Sequence, residues 1–257
     1  MEKPIFSVLC LNLKNYDNFF DLDKSTINPL AEYIYITDNK SITSNTWTIK
    51  YVDLNENDDL WDFCYDVRFN PFKYVNSDVI LRIDASIRIN SDITPMINTF
   101  NEGKYDAGVL IHQKRQTLYD EYMAWVNKRN YPIEKAWKCM SFLSNENYDV
   151  FNYKGLYAET IVLMKNSKFT KDWNRMSYTF LKLLSNNENT IERLNQAISS
   201  FVLNKYFNDK KILPLDSDML LANNHLAWYG HNCNIQLNSI RECEPYLFNK
   251  KCKLYSL

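Results

Sequence analysis

The sequence predicts an α/β fold in which helices cover both faces of a mostly parallel sheet. In the first third of the chain, short runs rich in β-branched and aromatic residues alternate with segments whose apolar residues have helical spacing. Alternation of this kind is typical of parallel sheets, because a crossover helix joins one strand to the next. The 257 residues contain no repeat, linker or low-complexity tract, so we expect a single domain over residues 1–257.

The same patterns predict the individual elements. Strands are expected at residues 5–13, 33–37, 47–52, 79–83 and 106–112, and a loop at Gly155 is expected to enter a further strand that reaches Met164. Helices are expected within residues 59–74, where Pro71 disturbs or ends the helix, and at residues 117–128 and 191–206. In the last helix, Leu194, Ile198, Phe201 and Val202 form an apolar stripe that we assign to the core. We expect the second half of the chain to be more irregular than the first.

Composition excludes several classes of protein. The net charge is −1, from 30 basic and 31 acidic residues without a basic block, so nothing favours a nucleic-acid binder. Only four glycines are present, which argues against a glycine-rich phosphate loop. The six cysteines include no C-x-x-C pair and fit reduced thiols in a cytosolic protein. Neither G-x-S-x-G nor H-E-x-x-H occurs, so esterase and peptidase chemistry finds no support.

Nothing in the sequence predicts export or a membrane span. The first ten residues carry an acid early and lack the long apolar region of a signal peptide. No stretch approaches the roughly 18 to 20 apolar residues that a transmembrane helix needs. We therefore expect a cytoplasmic protein, whose association with the inner face of a membrane, if it has one, is peripheral.

The apolar run from Val79 to Asp84 is the most informative segment. A strand that ends in Asp places a carboxylate at the carboxyl edge of the sheet, where open α/β folds bind ligands. A divalent cation there would bridge diphosphate oxygens and stabilise a departing nucleotide. The alternative is that Asp84 only caps the turn that follows the strand.

The segments around this strand come in a characteristic order. They are residues 6–12, 33–39, 47–53, 68–74 and 80–89, followed by residues 112–115, 119–121, 155–157 and 193–196. The series resembles the bacterial glycosyltransferase-domain family related to the plant mucilage-related and turgor-regulation glycosyltransferase-like proteins, from about residue 5 to about residue 232. The resemblance implies a GT-A fold, Rossmann-like with a mixed, mostly parallel sheet flanked by helices.

The resemblance also implies an activity, which is the transfer of a sugar from a nucleotide-sugar donor to a saccharide or lipid-linked saccharide acceptor. A UDP-sugar is the favoured donor, and surface polysaccharide or glycan assembly is the implied setting. Residues 1–100 would form the donor half of the domain and residues 101–257 the acceptor half. Two alternatives remain open, namely a non-catalytic scaffold that binds carbohydrate or nucleotide sugar, and a sugar-nucleotide hydrolase.

The resemblance implies a site for Mn²⁺ or Mg²⁺. Asp84 takes the place of the first acid of the DxD motif of such enzymes, and Ser86 takes the place of the second. A hydroxyl is a weaker ligand than a carboxylate, so the donor diphosphate would supply much of the coordination. His231 corresponds to the C-terminal histidine that completes many such sites, although an ordinary surface or core histidine is an equal alternative.

Four further residues are expected to bind the donor. Thr37 and Asp38 end the second strand, where such enzymes contact the base or ribose, although an Asp-Asn pair also forms turns without a ligand. Arg68 and Lys73 flank Pro71 and would offset the charge of the diphosphate.

The candidate catalytic residues are Glu159, Asn195 and Gln196. Glu159 follows the Gly155 loop, which resembles the acceptor-side loop of GT-A folds. Asn195 stands where related retaining galactosyltransferase-like enzymes have an Asp, so no carboxylate is available there, and Gln196 would hold the sugar. The alternative for Gln196 is a solvated position on an amphipathic helix. This pattern favours a retaining reaction.

Overall fold

The computed structural model describes residues 3–54, 60–112, 115–129, 131–186, 195–207, 209–215, 226–229 and 236–237. Its main feature is a seven-stranded sheet with the order β3-β2-β1-β4-β7-β6-β8. These strands are β1 (Ser7–Asn12), β2 (Glu32–Thr37), β3 (Thr48–Tyr51), β4 (Val79–Asp84), β6 (Ala107–Ile111), β7 (Tyr157–Lys165) and β8 (Ile212–Leu215). A smaller sheet, ordered β10-β9-β5, contains β5 (Ile87–Ile89), β9 (Leu226–Tyr229) and β10 (Gln236–Leu237).

The large sheet is mixed but mostly parallel, as the sequence predicts. Strands β1 to β4 run parallel to one another, and β6 runs parallel to β8. Strand β7 is antiparallel to both of its neighbours, β4 and β6. The sequence pattern does not reveal this reversal, because a buried strand reads as the same apolar run in either direction.

Six α-helices accompany the sheets within the described residues. They are α1 (Leu60–Phe69), α2 (Thr94–Glu102), α3 (Leu118–Arg129), α4 (Ile133–Asn145), α5 (Lys168–Asn186) and α6 (Asn195–Tyr206). The predicted helix before Pro71 is confirmed as α1, and a short 3₁₀ turn from Pro71 to Lys73 follows it. Four of these helices, α3 to α6, lie after residue 101, in the half that the sequence predicts to be the more irregular.

Two apolar layers cover the two faces of the sheet. Successive side chains of a strand point to opposite faces, and β4 shows this directly. Leu81 and Ile83 belong to the layer that also contains α2, whereas Ile80 packs on the opposite face with Val67 of α1. The predicted stripe of α6 is confirmed as core at Ile198, Phe201 and Val202; Leu194 lies outside the described residues.

Three of the six cysteines lie within the described residues. Cys10, Cys64 and Cys139 are not in disulfide bonds, and the other three cysteines lie outside the described residues. Burial raises the pKa of Cys10 well above its ordinary value, with a further contribution from the nearby carboxylate of Asp84. No helix of the described part of the chain combines the length and apolar character needed to cross a membrane.

The central position of β4 predicts a large stability effect at Leu81, which is 0% exposed. We expect Leu81→Ala to lower the free energy of unfolding by about 3 kcal/mol, because it removes buried apolar surface and leaves a cavity. The matched control is Leu30→Ala, since Leu30 is 61% exposed; it should change stability by less than about 0.5 kcal/mol. Urea titration followed by circular dichroism measures both. Equal losses would contradict the assignment of Leu81 to the core.

Candidate active site

The candidate site lies where the strand order reverses at the carboxyl edge of the sheet. From β1 the order runs to β2 and β3 on one side, and to β4 on the other. Open α/β sheets bind ligands in the crevice at such a switch point. The register places Asp84 of β4 beside Leu11 of β1, and Asn12 of β1 beside Thr37 of β2. Asp84, Thr37 and Asp38 therefore lie at one edge of the sheet.

An ion-pair cluster occupies this edge on the face covered by α1. The Arg68 Nη1 atom donates to Oε2 of Glu159 at 2.6 Å, and its Nη2 atom lies 3.9 Å from Oδ1 of Asp84. The side chain of Glu159 is 8% exposed, whereas those of Arg68 and Asp84 are 27% and 32% exposed. Arg68 therefore joins a buried carboxylate to one that faces the solvent.

Glu159 also forms two hydrogen bonds with residues at the beginning of α6. Asn195 Nδ2 donates to Glu159 Oε2 at 2.6 Å, and the Glu159 backbone N–H donates to Gln196 Oε1 at 3.3 Å. The structure thus brings together the three predicted catalytic residues. Burial raises the pKa of Glu159, but Arg68, Arg82 and the hydroxyl of Ser199 outweigh that effect, and the pKa lies below its ordinary value. Glu159 is therefore an ionised, hydrogen-bonded carboxylate.

The fourth member of the cluster is Arg82, which the sequence analysis did not single out. Its Nη2 atom lies 3.4 Å from the Glu159 carbonyl oxygen and 3.6 Å from Glu159 Oε2. Burial and the neighbouring charge of Arg68 lower the pKa of Arg82 to about 10. The sequence does contain a signal for this residue, since it is the one charged residue within the run from Val79 to Ile83. With Asp84 it makes a cluster of two guanidiniums and two carboxylates.

The same cluster raises the pKa of Arg68 above its ordinary value. Burial alone would lower it, but the carboxylates of Glu159 and Asp84 outweigh burial. Arg68 is the penultimate residue of α1, where a positive charge also complements the helix dipole. The two carboxylates therefore keep Arg68 charged and hold its guanidinium in place.

Of the two carboxylates in the cluster, that of Asp84 is the one exposed enough to bind a divalent cation. The side chain of Ser86 is 1% exposed, and its hydroxyl has no hydrogen-bond partner among the described residues, so it is packed inside and does not line the edge. No group of three or more His, Cys, Asp or Glu side chains in the described part of the chain could hold a metal. His231 lies outside the described residues; β9, which pairs with β5 directly after the Asp84 turn, ends two residues before it.

The predicted nucleoside contacts lie two strands away from Asp84. Thr37 is buried, and its hydroxyl accepts the Asn39 backbone N–H at 3.1 Å, so it serves the turn after β2. The carboxylate of Asp38 accepts the backbone N–H of Lys14 at 2.8 Å. Lys14 and Asn15 both have left-handed backbone angles, with φ of 52° and 51°. Asp38 thus supports the strained loop that follows β1.

Lys73 is not part of the cluster. Its ammonium pairs with Oδ2 of Asp66 at 2.7 Å, and its side chain is 65% exposed. Asp66 lies two residues before Arg68 on α1. Local pairing across the Pro71 turn holds it there. Of the two predicted basic residues, Arg68 lies beside Asp84 and Lys73 pairs with Asp66 instead.

Comparisons with known proteins give little beyond this geometry. No family model matches the chain, and no curated protein matches it in sequence. Among solved structures, the chain is similar to mouse xyloside xylosyltransferase 1 in its apo form, at a TM-score of 0.49 and 8% sequence identity. That similarity covers 84% of this chain and 86% of the mouse chain. A likeness at this level supports no activity or substrate here, and the predicted family membership stays a prediction.

The environment of Glu159 predicts a pH-dependent loss of stability in Glu159→Gln. At pH 7 we expect the variant to lose about 3 kcal/mol of unfolding free energy, because the buried guanidinium of Arg82 and the partly buried guanidinium of Arg68 lose their shared carboxylate. The folded-state pKa of Glu159 is lowered, so its contribution is present above the ordinary value of about 4.3 and declines as the pH falls through the folded pKa. The difference between wild type and variant should therefore shrink toward pH 3.

Urea titrations between pH 3 and pH 7 measure this difference. The matched control is Glu102→Gln at the exposed end of α2, which should stay within about 0.5 kcal/mol of wild type throughout. A Glu159→Gln loss that is independent of pH would show that the carboxylate charge is not what stabilises the cluster.

Proposed function

We propose that the protein is a glycosyltransferase of the GT-A type that moves a sugar from a nucleotide-sugar donor to a saccharide acceptor. The observation that carries the proposal is the cluster of Arg68, Asp84 and Glu159 at the switch point of the sheet. A partly exposed guanidinium beside a partly exposed carboxylate suits a ligand that combines a diphosphate with a divalent cation.

The spacing of the edge supports a donor laid across the strands. Asp38 and Asp84 follow β2 and β4, which are separated by β1, so about 10 Å divides them at ordinary strand spacing. A nucleoside on the Asp38 side would place its diphosphate over the end of β1, next to Asp84. The sugar would then lie toward Glu159 and Gln196, which are on the far side of β4. UDP is the nucleotide that we expect from the sequence.

Asp84 is the residue that would hold Mn²⁺ or Mg²⁺, together with the oxygens of the diphosphate. The bound cation would stabilise the charge that develops on the leaving nucleotide. Arg68 lies 3.9 Å from Asp84 and would donate to the same phosphate oxygens. Because the described residues supply a single exposed carboxylate here, the cation would arrive with the donor and would not be held permanently.

The reaction that we propose is retaining. Glu159 is buried and already accepts hydrogen bonds from Arg68 and Asn195, so it is poorly placed to deprotonate an acceptor. In a retaining transfer, the bond from the anomeric carbon to the phosphate oxygen breaks, and the acceptor oxygen bonds to that carbon on the same face. The departing phosphate oxygen takes the proton of the acceptor hydroxyl. Gln196 would orient the sugar from the opposite face.

Thermal unfolding with nucleotide and metal tests the donor site. UDP with Mn²⁺, at about 100 times its dissociation constant, should raise the melting temperature of the wild type by about 5 °C, because a ligand bound only to the folded state stabilises it. We expect Asp84→Asn to lose most of this shift. Asp172→Asn, on the surface of α5, is the matched control and should keep it. GDP, CMP and TDP with the same metal define the preferred base.

The pattern of results separates the alternatives. No shift with any nucleotide would sink the donor-site assignment. A shift that ignores both Mn²⁺ and Asp84→Asn would favour a non-catalytic binding scaffold. Release of free sugar from the donor without transfer to any saccharide acceptor would favour a hydrolase.

A further inference from the structure

Arg82 is buried in the middle of the sheet, where its strand is otherwise apolar. Its side chain is 10% exposed, and Leu81 and Ile83 on either side of it belong to the core. Taking a guanidinium out of water is costly unless carboxylates and hydrogen bonds compensate it. An arginine at this position therefore needs a specific reason.

The compensation that the structure provides is incomplete. Arg82 Nη2 lies 3.4 Å from the carbonyl oxygen of Glu159 and 3.6 Å from its Oε2 atom, both longer than a strong charge-assisted contact. Its Nη1 atom is buried and has no hydrogen-bond partner within the described residues. Of the two guanidiniums, Arg68 makes the short contact to Glu159, at 2.6 Å. Arg82 is thus the more distant of the two arginines that share the Glu159 carboxylate, in an Arg–Glu–Arg group.

This group carries two positive charges and one negative charge. If Arg82 were neutral, Glu159 would match Arg68 one to one, and the charge of Arg68 would be satisfied inside the protein. With Arg82 present, two guanidiniums share the Glu159 carboxylate, and the remaining positive charge of Arg68 faces Asp84, 3.9 Å away, where the cluster is partly exposed. The buried Nη1 atom of Arg82 cannot reach a ligand there.

We propose that Arg82 is a positioning residue that acts through Glu159 on Arg68. Its positive charge, inside the sheet, attracts the Glu159 carboxylate and partly neutralises it. Arg68 can then donate to the phosphate oxygens of a nucleoside diphosphate. The inference rests on the proposed function, because it takes the ligand of Arg68 to be the diphosphate of the donor.

A double-mutant cycle between Arg82 and Glu159 tests the inference. Calorimetric titrations with UDP and with inorganic pyrophosphate, each with Mg²⁺, give dissociation constants for wild type, Arg82→Met, Glu159→Gln and the double variant. Arg82→Met should weaken binding by about tenfold or more, because Arg68 is then neutralised by Glu159. In the Glu159→Gln background the same change should have an effect of less than about threefold, since the carboxylate through which Arg82 acts is gone.

Controls separate this role from a purely structural one. Arg175→Met replaces an arginine that is 75% exposed on α5 and should bind like wild type. Arg82→Lys keeps the charge and should retain most of the affinity. If Arg82→Met alone fails to fold, the comparison of Glu159→Gln with the double variant still measures whether Arg82 acts without its carboxylate. Thermal unfolding of each variant confirms that it is folded.

The outcomes distinguish this inference from the proposed function. Wild-type binding of UDP, with Arg82→Met equally harmful in both backgrounds or harmless in both, overturns the role of Arg82 and leaves the donor site standing. Binding of pyrophosphate but not UDP, with the expected coupling, supports Arg82 and removes the nucleotide donor. Binding of neither ligand overturns both.

Discussion

The burial of an ionised carboxylate at Glu159 is the constraint on which the centre of the molecule depends. Its partners come from three other elements: Arg82 on β4, Arg68 on α1 and Asn195 on α6. These residues are far apart along the chain, so the carboxylate is compensated only when the sheet and both helices are assembled. Because an uncompensated buried charge is strongly destabilising, the cluster favours a single arrangement of these four elements.

Much of the sheet could be predicted from the sequence, because its strands are local patterns. The first four strands are short β-branched and aromatic runs, and each has its predicted position to within about two residues. The direction of β7 could not be predicted, since direction is a property of pairing and not of composition. Helix α5 was missed although Phe169, Trp173 and Phe180 have helical spacing, because polar residues dominate between them.

Some contacts of the candidate site could be predicted from the sequence. The others depend on which of several possible partners each side chain binds. Glu159, Asn195 and Gln196 were each named as candidate catalytic residues, and the structure brings them into contact. Thr37 and Lys73 were equally plausible from the sequence, yet each satisfies a group close to it in the chain. The sequence does not reveal which partner each side chain binds, since that depends on which partner is nearer in the folded chain. Arg82 was overlooked because its partner lies 77 residues further along the chain.

The two paired strands of the small sheet beside Asp84 are synthesised at very different times. Strand β5 begins three residues after Asp84. Its partner β9 consists of residues 226–229 and is synthesised long after β4. The strands of the large sheet have all been made by residue 215. The ribosome therefore makes the strands of the main sheet before it makes β9, the neighbour of the segment after Asp84.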